Sequence, residues 1–285
     1  MTRNFDIEPL DATFGAVIRG LRLTEMDDAT WGELHDAWLE YALLIFPDQF
    51  LGRDEQIAFA KRFGDMEFDM AELSNIKRNG KLRLEEDNDD VLKVLKGNMC
   101  WHADSTYMPV QAKGAVFSAE IVPTIGGHTG WADMRAAYDA LDDATRQKVE
   151  SLTAFHSLHY SQAKVGLSPS SDKEYNGYGF HDGPAPQRPL VKTHPETGRK
   201  SLLIGRHAHN IPGMDPAASE KFLQELTDFA CQPPRIYHHD WRAGDAVVWD
   251  NRCLMHRATP WDMAQPRRMW HSRIKGDLVS EAALG

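Results

Sequence analysis

Short extended segments separated by turns fill most of the chain after residue 99. Seven different segments of this kind occur there: AVFSAEIV, HTGWAD, TAFHSLHY, PLVKTH, SLLIG, DAVVWDN and RRMWHSRI. Closely spaced strands of this kind are typical of a β-sandwich or a β-barrel. We predict two helices among them, one in DMRAAYDALDDATRQKVESL after Asp133 and one in DPAASEKFLQELTDFACQ with Asp215 as N-cap and Pro216 at its first position.

The N-terminal part of the chain predicts two helices around one buried strand. MDDATWGELHDAWLEYA has apolar residues at helical spacing, ALLIF suits a buried strand, and a second helix is expected from Arg53 to Phe63. No repeat or low-complexity linker divides the 285 residues. We therefore predict a single domain over residues 1–285, mainly β, with helices packed outside a β core.

Residues 66–98 have the least regular sequence pattern. They contain one strand-like piece, LSNI, an Asn79-Gly80 turn and an acidic run from Glu85 to Asp90. The simplest interpretation of the acidic run is a solvated loop. Because long irregular segments often lie beside functional sites, we predict that residues 66–98 form a mobile lid.

Charge and composition exclude several classes of protein. Lys and Arg number 32 against 42 Asp and Glu, and a net charge of −10 disfavours nucleic acid and anionic membranes as partners. The sequence lacks the roughly 18 consecutive apolar residues of a membrane span and shows no secretion signal. Three cysteines without CxxC spacing predict neither a disulfide framework nor a cysteine zinc site. We expect a cytoplasmic protein that binds a small molecule.

His102 and Asp104 in WHADSTYMPV are the first candidate metal ligands. In a strand, residues i and i+2 project from the same face, so both side chains can point at one centre. An HxD pair alone is a weak signal, because ordinary hydrogen-bonded polar residues also explain it. The best third candidate is His256, which follows an apolar run in VVWDNRCLMHRATPWD. Two histidines and one carboxylate suit Fe(II) and leave coordination positions open.

Basic residues in PRRMWHSRI indicate sites for anions. If this segment is a strand, Arg267, Met269, His271 and Arg273 share one face. Two arginines on one face suggest two anionic groups, since a guanidinium binds a carboxylate through two hydrogen bonds. Solvated surface salt bridges are the alternative interpretation.

Four ordered motifs give the chain a resemblance to a known family. His102-Ala103-Asp104, GGHTGWADMRAAYDAL, WDNRCLMHRA and RRMWHSR resemble the iron(II)/2-oxoglutarate-dependent dioxygenases of the taurine dioxygenase and dichlorophenoxyacetate dioxygenase family. Within that family, GNMCWHADSTYMPV, LLIGRHAHNIPGMD and MWHSR are most similar to the (S)-phenoxypropionate, or aryloxyalkanoate, dioxygenases. The resemblance covers nearly the whole chain.

The resemblance implies a double-stranded β-helix, the jelly-roll or cupin-like fold. It also implies Fe(II) held by His102, Asp104 and His256, with 2-oxoglutarate and O2 as cosubstrates. The far carboxylate of 2-oxoglutarate is expected on Arg267 and Thr129. A hydroxyl and a guanidinium suit that role because both donate hydrogen bonds to a carboxylate.

Three further residues complete the expected site. Asn98 matches a family position that contacts cosubstrate or substrate, although it could equally cap a turn. Arg273 is expected to bind the substrate's carboxylate, with Arg206 in IGRHAH as the second candidate. The spacing leaves open whether Arg267 and Arg273 exchange roles. The other histidines are interpreted as structural or surface residues, with His207 a minor pocket candidate.

The activity that the resemblance implies is oxidative cleavage of an aryl ether. Hydroxylation of the carbon next to the ether oxygen of an aryloxyalkanoate would give a phenol, a keto acid such as pyruvate, succinate and CO2. An alkylsulfonate or a sulfate ester is the alternative substrate. A non-catalytic jelly-roll binding protein and a zinc-dependent hydrolase are the alternatives outside this class, and a homo-oligomer is compatible with the sequence. Oxygen-dependent succinate formation separates the oxygenase from both.

Overall fold

The computed structural model of the protein describes residues 4–87, 89–166 and 183–284. The described strands are β1 (Asp6–Pro9), β2 (Ala16–Arg19), β3 (Leu43–Phe46), β4 (Met66–Ser74), β5 (Gly114–Ile121), β6 (Thr129–Asp133), β7 (Thr153–His156), β8 (Gln187–Pro189), β9 (Val191–Thr193), β10 (Lys200–Leu202), β11 (Ala208–His209), β12 (Ile236–His239), β13 (Ala246–Asp250), β14 (Leu254–Ala258) and β15 (Arg268–Ile274). The described α-helices are α1 (Asp28–Tyr41), α2 (Arg53–Lys61), α3 (Asp90–Gly97), α4 (Met134–Asp139), α5 (Asp143–Glu150), α6 (Leu158–Ala163) and α7 (Pro216–Ala230). None of these helices is long and apolar enough to cross a membrane.

Seven strands form a large sheet in the order β1-β2-β3-β13-β5-β15-β4. Its neighbouring strands are antiparallel except for the parallel pair β2 and β3. Smaller sheets have the orders β12-β6-β14, β11-β7-β8 and β10-β9. Most neighbours in the large sheet are remote in sequence, so its register depends on packing rather than on tight hairpins.

Aromatic side chains fill the space between the large sheet and the β12-β6-β14 sheet. The ring of Trp249 on β13 lies 6.0 Å from Trp131 on β6 and 6.3 Å from Phe117 on β5. The other face of β13 is also buried, because Val248 packs in the cluster that contains α1 and α2. Burial on both faces explains why the DAVVWDN run is continuously apolar rather than alternating.

Helices cover the outer faces of these sheets, as the sequence predicts. The side chain of Asp27 accepts a hydrogen bond from the backbone N–H of Thr30 and caps α1. Leu34 and Trp38 of α1 are fully buried against the large sheet. Helices α4 and α7 pack in a separate cluster beside β6, β10 and β14.

The predicted helix after Asp133 is two helices, so that prediction was wrong in its middle. Helix α4 ends at Asp139, and α5 begins after Asp142. The Asp142 side chain accepts a hydrogen bond from the backbone N–H of Thr145 at 2.9 Å, which starts a new helix. The predicted strand TAFHSLHY is likewise mixed, since β7 is followed directly by α6.

Residues 66–98 are more regular than their sequence indicates. The first nine residues are β4, which pairs with β15 at the edge of the large sheet, and α3 occupies Asp90–Gly97. The prediction of one irregular connection is therefore wrong for these two stretches. Strand β4 was missed because only its end, LSNI, has an obvious strand pattern. The mobility of the segment stays a prediction.

Candidate active site

The segments that carry His102 and His256 are joined by backbone hydrogen bonds. The N–H of His102 donates to the carbonyl of His256 at 3.0 Å, and the N–H of His256 donates back at 2.7 Å. Asp104 begins a turn, so the prediction that both members of the HxD pair lie in one strand is wrong. Asn251 fixes that turn, because its side chain accepts from the N–H of Asp104 at 2.7 Å and donates to the carbonyl of Asp104 at 2.9 Å.

The side chains of His102, Asp104 and His256 converge although they come from different segments. Their nearest ligand atoms all lie within 4.8 Å of one another, and all three residues are buried. His102 Nε2 lies 4.0 Å from Asp104 Oδ1, and His256 Nε2 lies 3.8 Å from Asp104 Oδ2. The structure thus brings together the three ligands predicted from the sequence.

The two imidazoles are neutral and one of them has a fixed tautomer. Burial, and then the neighbouring His256, lower the pKa of His102 well below its usual value, and burial lowers that of His256. His102 Nδ1 donates to the carbonyl of Cys100 at 2.8 Å, because a carbonyl only accepts. The lone pair of His102 is therefore on Nε2, on the side of Asp104, as a metal ligand requires.

Asp104 is ionised and presents one unpaired oxygen. Burial alone would raise its pKa, but the charged guanidinium of Arg273 holds that pKa well below the usual range. Within the described residues, Asp104 Oδ2 is buried and has no hydrogen-bond partner. A buried carboxylate oxygen without a partner is strongly unfavourable unless a cation binds it. This orphaned oxygen and the two-histidine, one-carboxylate donor set fit Fe(II).

A second cluster, made of His194, Asp250 and Cys253, does not fit a metal equally well. Both oxygens of Asp250 are already bonded, one to Arg252 Nε at 2.8 Å and the other to Arg252 Nη2 at 2.6 Å and His194 Nε2 at 2.9 Å. The charge of this carboxylate is balanced within the protein. We interpret this cluster as a buried structural ion pair.

The three candidate ligands line a cavity of about 500 Å3. Part of the lining is apolar and comes from β4, α3 and α6: Phe68, Met70, Val91, Val94, Leu95 and Leu158. Another part is polar and cationic: Asn98, Thr129, Arg206, Arg267 and Arg273. All the residues predicted for cosubstrate and substrate therefore border the same cavity as the ligands.

Arg267 is a buried cation without an acidic partner among the described residues. It is 3% exposed, its Nε donates to the carbonyl of Gly127 at 3.2 Å, and one Nη has no hydrogen-bond partner. Burial lowers its pKa to about 10, so it remains charged at neutral pH. Thr129 lies in the same lining, and its hydroxyl accepts from Trp241 Nε1 at 2.9 Å, which leaves its proton available for donation.

Arg273 differs from Arg267 because it faces a carboxylate. Its Nη2 donates to Asp104 Oδ1 at 2.8 Å, and its Nη1 donates to the Ser105 hydroxyl at 3.2 Å. Asp104, and then Tyr107 and other neighbours, outweigh burial and raise the pKa of Arg273. The structure thus pairs Arg273, which the sequence predicted to bind the substrate's carboxylate, with the metal-ligand candidate Asp104.

Arg206 and Asn98 lie near the C-terminal end of α3. The Arg206 guanidinium packs so closely on Gly97 that a Cβ there would lie 2.6 Å from Nη1. Asn98 is the C-cap of α3, and its carbonyl accepts from the N–H of Ala258 at 2.8 Å. Asn98 is therefore part of the cavity lining and also the C-cap of a helix, where the simpler interpretation had placed it at a turn.

His271 is a site residue to which the sequence assigned no role. Its Nε2 lies 3.5 Å from Asp104 Oδ2, and its ring stacks on Trp249 with centroids 5.7 Å apart. The period of two on β15 had placed it on the face of Arg267 and Arg273, so that signal was present in the sequence. His207 also borders the cavity, where its Nδ1 lies 2.8 Å from the Ser161 hydroxyl.

Comparisons with known proteins agree with this geometry. Residues 6–273 match the family model described as "Taurine catabolism dioxygenase TauD, TfdA family". The chain belongs to this family. It is 70% identical over 285 residues to a (S)-phenoxypropionate/alpha-ketoglutarate-dioxygenase of Sphingobium herbicidovorans, covering 100% of this chain and 99% of the relative. A protein of the same name from Delftia acidovorans is 57% identical over 289 residues, covering 99% of each.

A solved structure of similar shape supports the fold and the cofactor class. The crystal structure of AAD-2 in complex with Mn(II) and N-oxalylglycine superposes with a TM-score of 0.88 at 37% identity, and the match covers 100% of both chains. These likenesses confirm the predicted jelly-roll fold and the predicted 2-oxoglutarate-dependent dioxygenase class. They also confirm Fe(II) and 2-oxoglutarate as the predicted cofactors. The described strands form open sheets rather than a closed barrel.

Proposed function

We propose that the protein hydroxylates the carbon next to the ether oxygen of an aryloxyalkanoate of the phenoxypropionate type. The observation that carries this proposal is a single cavity that combines the three candidate ligands, buried cations and an apolar lining. The hydroxylated carbon then releases a phenol and a keto acid such as pyruvate, with succinate and CO2 from 2-oxoglutarate. The names of the two relatives, at 70% and 57% identity, support the same substrate class.

In this proposal His102, Asp104 and His256 hold Fe(II) on one side, which leaves coordination positions open. The bound iron supplies the oxidation with O2 and 2-oxoglutarate. Arg267 donates to the far carboxylate of 2-oxoglutarate, and Thr129 adds a hydroxyl donor. The buried guanidinium supports this role because a desolvated cation gains most from an anion that enters its pocket.

The substrate is oriented by charge at one end and apolar contact at the other. We assign its carboxylate to Arg206, which borders the cavity, with Asn98 as a neighbouring polar contact. Arg273 remains the alternative from the sequence, but its bond to Asp104 favours Arg206. The aryl ring fits the lining formed by Phe68, Val94 and other apolar residues of β4, α3 and α6. Fixing both ends sets which C–H bond faces the metal and excludes water.

A release assay with several candidate substrates tests the proposal. We expect oxygen-dependent succinate together with a phenol from (S)-phenoxypropionate, and less from the (R) enantiomer, taurine or an alkyl sulfate. Release of sulfite or of an aldehyde with equal efficiency would instead assign an alkylsulfonate or a sulfate ester. His102→Ala removes a candidate ligand itself, so metal binding and turnover should fall by more than the roughly 10- to 100-fold that is lost when a residue orienting a metal ligand is removed. His35→Ala, on α1 across the large sheet, is the matched control and should keep both.

Three predictions from the sequence remain part of this proposal. We propose that residues 1–285 form one domain, that the protein acts in the cytoplasm without nucleic acid or membrane partners, and that residues 66–98 move when substrate enters. Assembly into a homo-oligomer stays a prediction. Light scattering measures the assembly, and amide hydrogen exchange with and without substrate measures the motion.

A further inference from the structure

Arg273, Ser105 and Glu67 form a polar cluster beside Asp104, which we name the Asp104 clamp. The two Nη groups of Arg273 donate to Asp104 Oδ1 at 2.8 Å and to the Ser105 hydroxyl at 3.2 Å. The Ser105 hydroxyl donates onward to Glu67 Oε1 at 2.7 Å. Glu67 belongs to β4 and Arg273 to β15, so two paired strands together hold one side chain of the candidate metal site.

The Asp104 clamp fixes the Asp104 carboxylate and also helps to hold the turn that Asp104 and Ser105 form. Ser105 has a φ of 56°, a left-handed conformation that disfavours residues with a Cβ by roughly 1–2 kcal/mol. That turn lets the Ser105 hydroxyl face Arg273 while Asn251 binds the main chain of Asp104. The strained turn is thus held by hydrogen bonds on two sides.

The two carboxylate oxygens of Asp104 differ in their hydrogen bonding. Oδ1 accepts a charge-assisted hydrogen bond from a guanidinium that is 7% exposed. Oδ2 has no hydrogen-bond partner within the described chain and lies 3.5 Å from His271 Nε2 and 3.8 Å from His256 Nε2. Carboxylates bind metal ions through one oxygen or through both. An oxygen already bonded to a guanidinium is a poor second ligand, because the metal and the cation repel each other.

We propose that Arg273 is a positioning residue that keeps Asp104 a one-oxygen ligand. By holding Oδ1 it presents only Oδ2 to Fe(II), and so it preserves the open position that 2-oxoglutarate needs. This inference rests on the ligand assignment in the proposed function and goes beyond it. It replaces the sequence-based expectation that Arg273 binds the substrate's carboxylate, and it leaves that role to Arg206.

Metal titrations without any substrate test this inference. With Mn(II) followed by electron paramagnetic resonance, Arg273→Met should bind the metal at least as tightly as the wild type, because the repelling cation is removed and a second carboxylate oxygen becomes available. In Co(II)-loaded protein the same variant should change the visible ligand-field spectrum. It should also raise the Kd of 2-oxoglutarate, since a two-oxygen carboxylate occupies an additional position. Arg268→Met, a half-buried arginine on the same strand that pairs with Glu72 and Glu120 instead, is the matched control and should change none of these.

Two milder variants keep the test decisive if Arg273→Met does not fold. Arg273→Lys retains the charge but loses the two-pronged contact, and Ser105→Ala removes one link of the clamp without leaving a new buried charge. Each should change the Co(II) spectrum in the same direction as Arg273→Met and raise the Kd of 2-oxoglutarate by roughly 3- to 10-fold, a loss of one hydrogen bond. The inference is overturned if the variants that fold keep the wild-type Co(II) spectrum and the wild-type Kd of 2-oxoglutarate while the KM of the aryloxyalkanoate rises. Failure of the phenoxypropionate assay would leave these titrations unaffected, because they contain no substrate.

Discussion

The two ends of β15 place two buried guanidinium groups in opposite electrostatic surroundings. Arg267, just before the strand, bonds to the main chain of Gly127 and lies 5.1 Å over the ring of Trp261, with no acidic partner among the described residues. Arg273, near the other end, donates to Asp104. Both residues are at most 7% exposed, so burial does not distinguish them.

This difference in pairing distinguishes Arg267, which can still bind an anionic ligand, from Arg273, which already holds a metal-ligand candidate in place. A buried cation without an acid is unfavourable in the empty protein, and an anion that enters its pocket removes that penalty. A buried cation already paired with a carboxylate gains little from a second anion. Period-two spacing alone treats Arg267 and Arg273 as equivalent, whereas their partners assign them different roles.

The largest effect is expected from removing the charge of Arg267. Arg267→Met should raise the Kd of 2-oxoglutarate by about 100- to 1,000-fold, because losing one partner of a buried charge pair removes roughly 3–4 kcal/mol. Isothermal titration calorimetry with metal-loaded protein measures the change, and Mn(II) affinity without 2-oxoglutarate should stay unchanged. If Arg267→Met instead weakened metal binding, the comparison between the two arginines would fail.

The same substitution, Arg267→Met, is expected to increase the stability of the ligand-free protein, and this effect is smaller than its effect on 2-oxoglutarate binding. Burial lowers the pKa of Arg267 to about 10 from 12.5, and each pKa unit corresponds to about 1.4 kcal/mol. Because the unfolded state holds this proton more tightly, the penalty is complete below pH 10 and declines only as pH rises from 10 to 12.5. This shift corresponds to about 3.5 kcal/mol, and losing the hydrogen bond to Gly127 offsets about 1 kcal/mol of that gain. Arg267→Met should therefore raise the free energy of unfolding at pH 7 by about 2–3 kcal/mol.

Urea denaturation without ligands measures this change, and Arg273→Met should lower stability under the same conditions because it leaves Asp104 unpaired in a buried place. Saturating 2-oxoglutarate should stabilise the wild type and have little effect on Arg267→Met. Equal destabilisation by both substitutions would show that the two arginines have the same structural role.

The smallest effect concerns the hydroxyl of Thr129. Thr129→Val should raise the Kd of 2-oxoglutarate by about 5- to 10-fold, since one net hydrogen bond contributes about 1 kcal/mol. Thr129→Ser keeps the donor and should bind 2-oxoglutarate within about twofold of the wild type. A Thr129→Val protein with unchanged affinity would indicate that the hydroxyl serves only Trp241, whose indole N–H donates to it.

Sequence patterns predicted helices and strands correctly where the residues that determine them are close together in the chain. The buried strand β3 and the helix after Asp215 follow from side chains within a few positions of one another. The same reasoning failed after Asp133, where an N-cap at Asp142 interrupts an otherwise helical pattern. It failed again at Asp104, because no local signal shows that the HxD pair crosses from an extended segment into a turn.

By itself, the sequence determined the family through the resemblance of its ordered motifs. It also determined the kinds of ligand and the shared face of Arg267 and Arg273, because these depend on residue type and on a period of two. Only the tertiary structure decided that His102 and His256 become hydrogen-bonded neighbours, and that Arg273 pairs with Asp104 while Arg267 does not. The reason is physical. Desolvation and pairing depend on what the rest of the chain brings next to a charge, and those neighbours are remote in sequence.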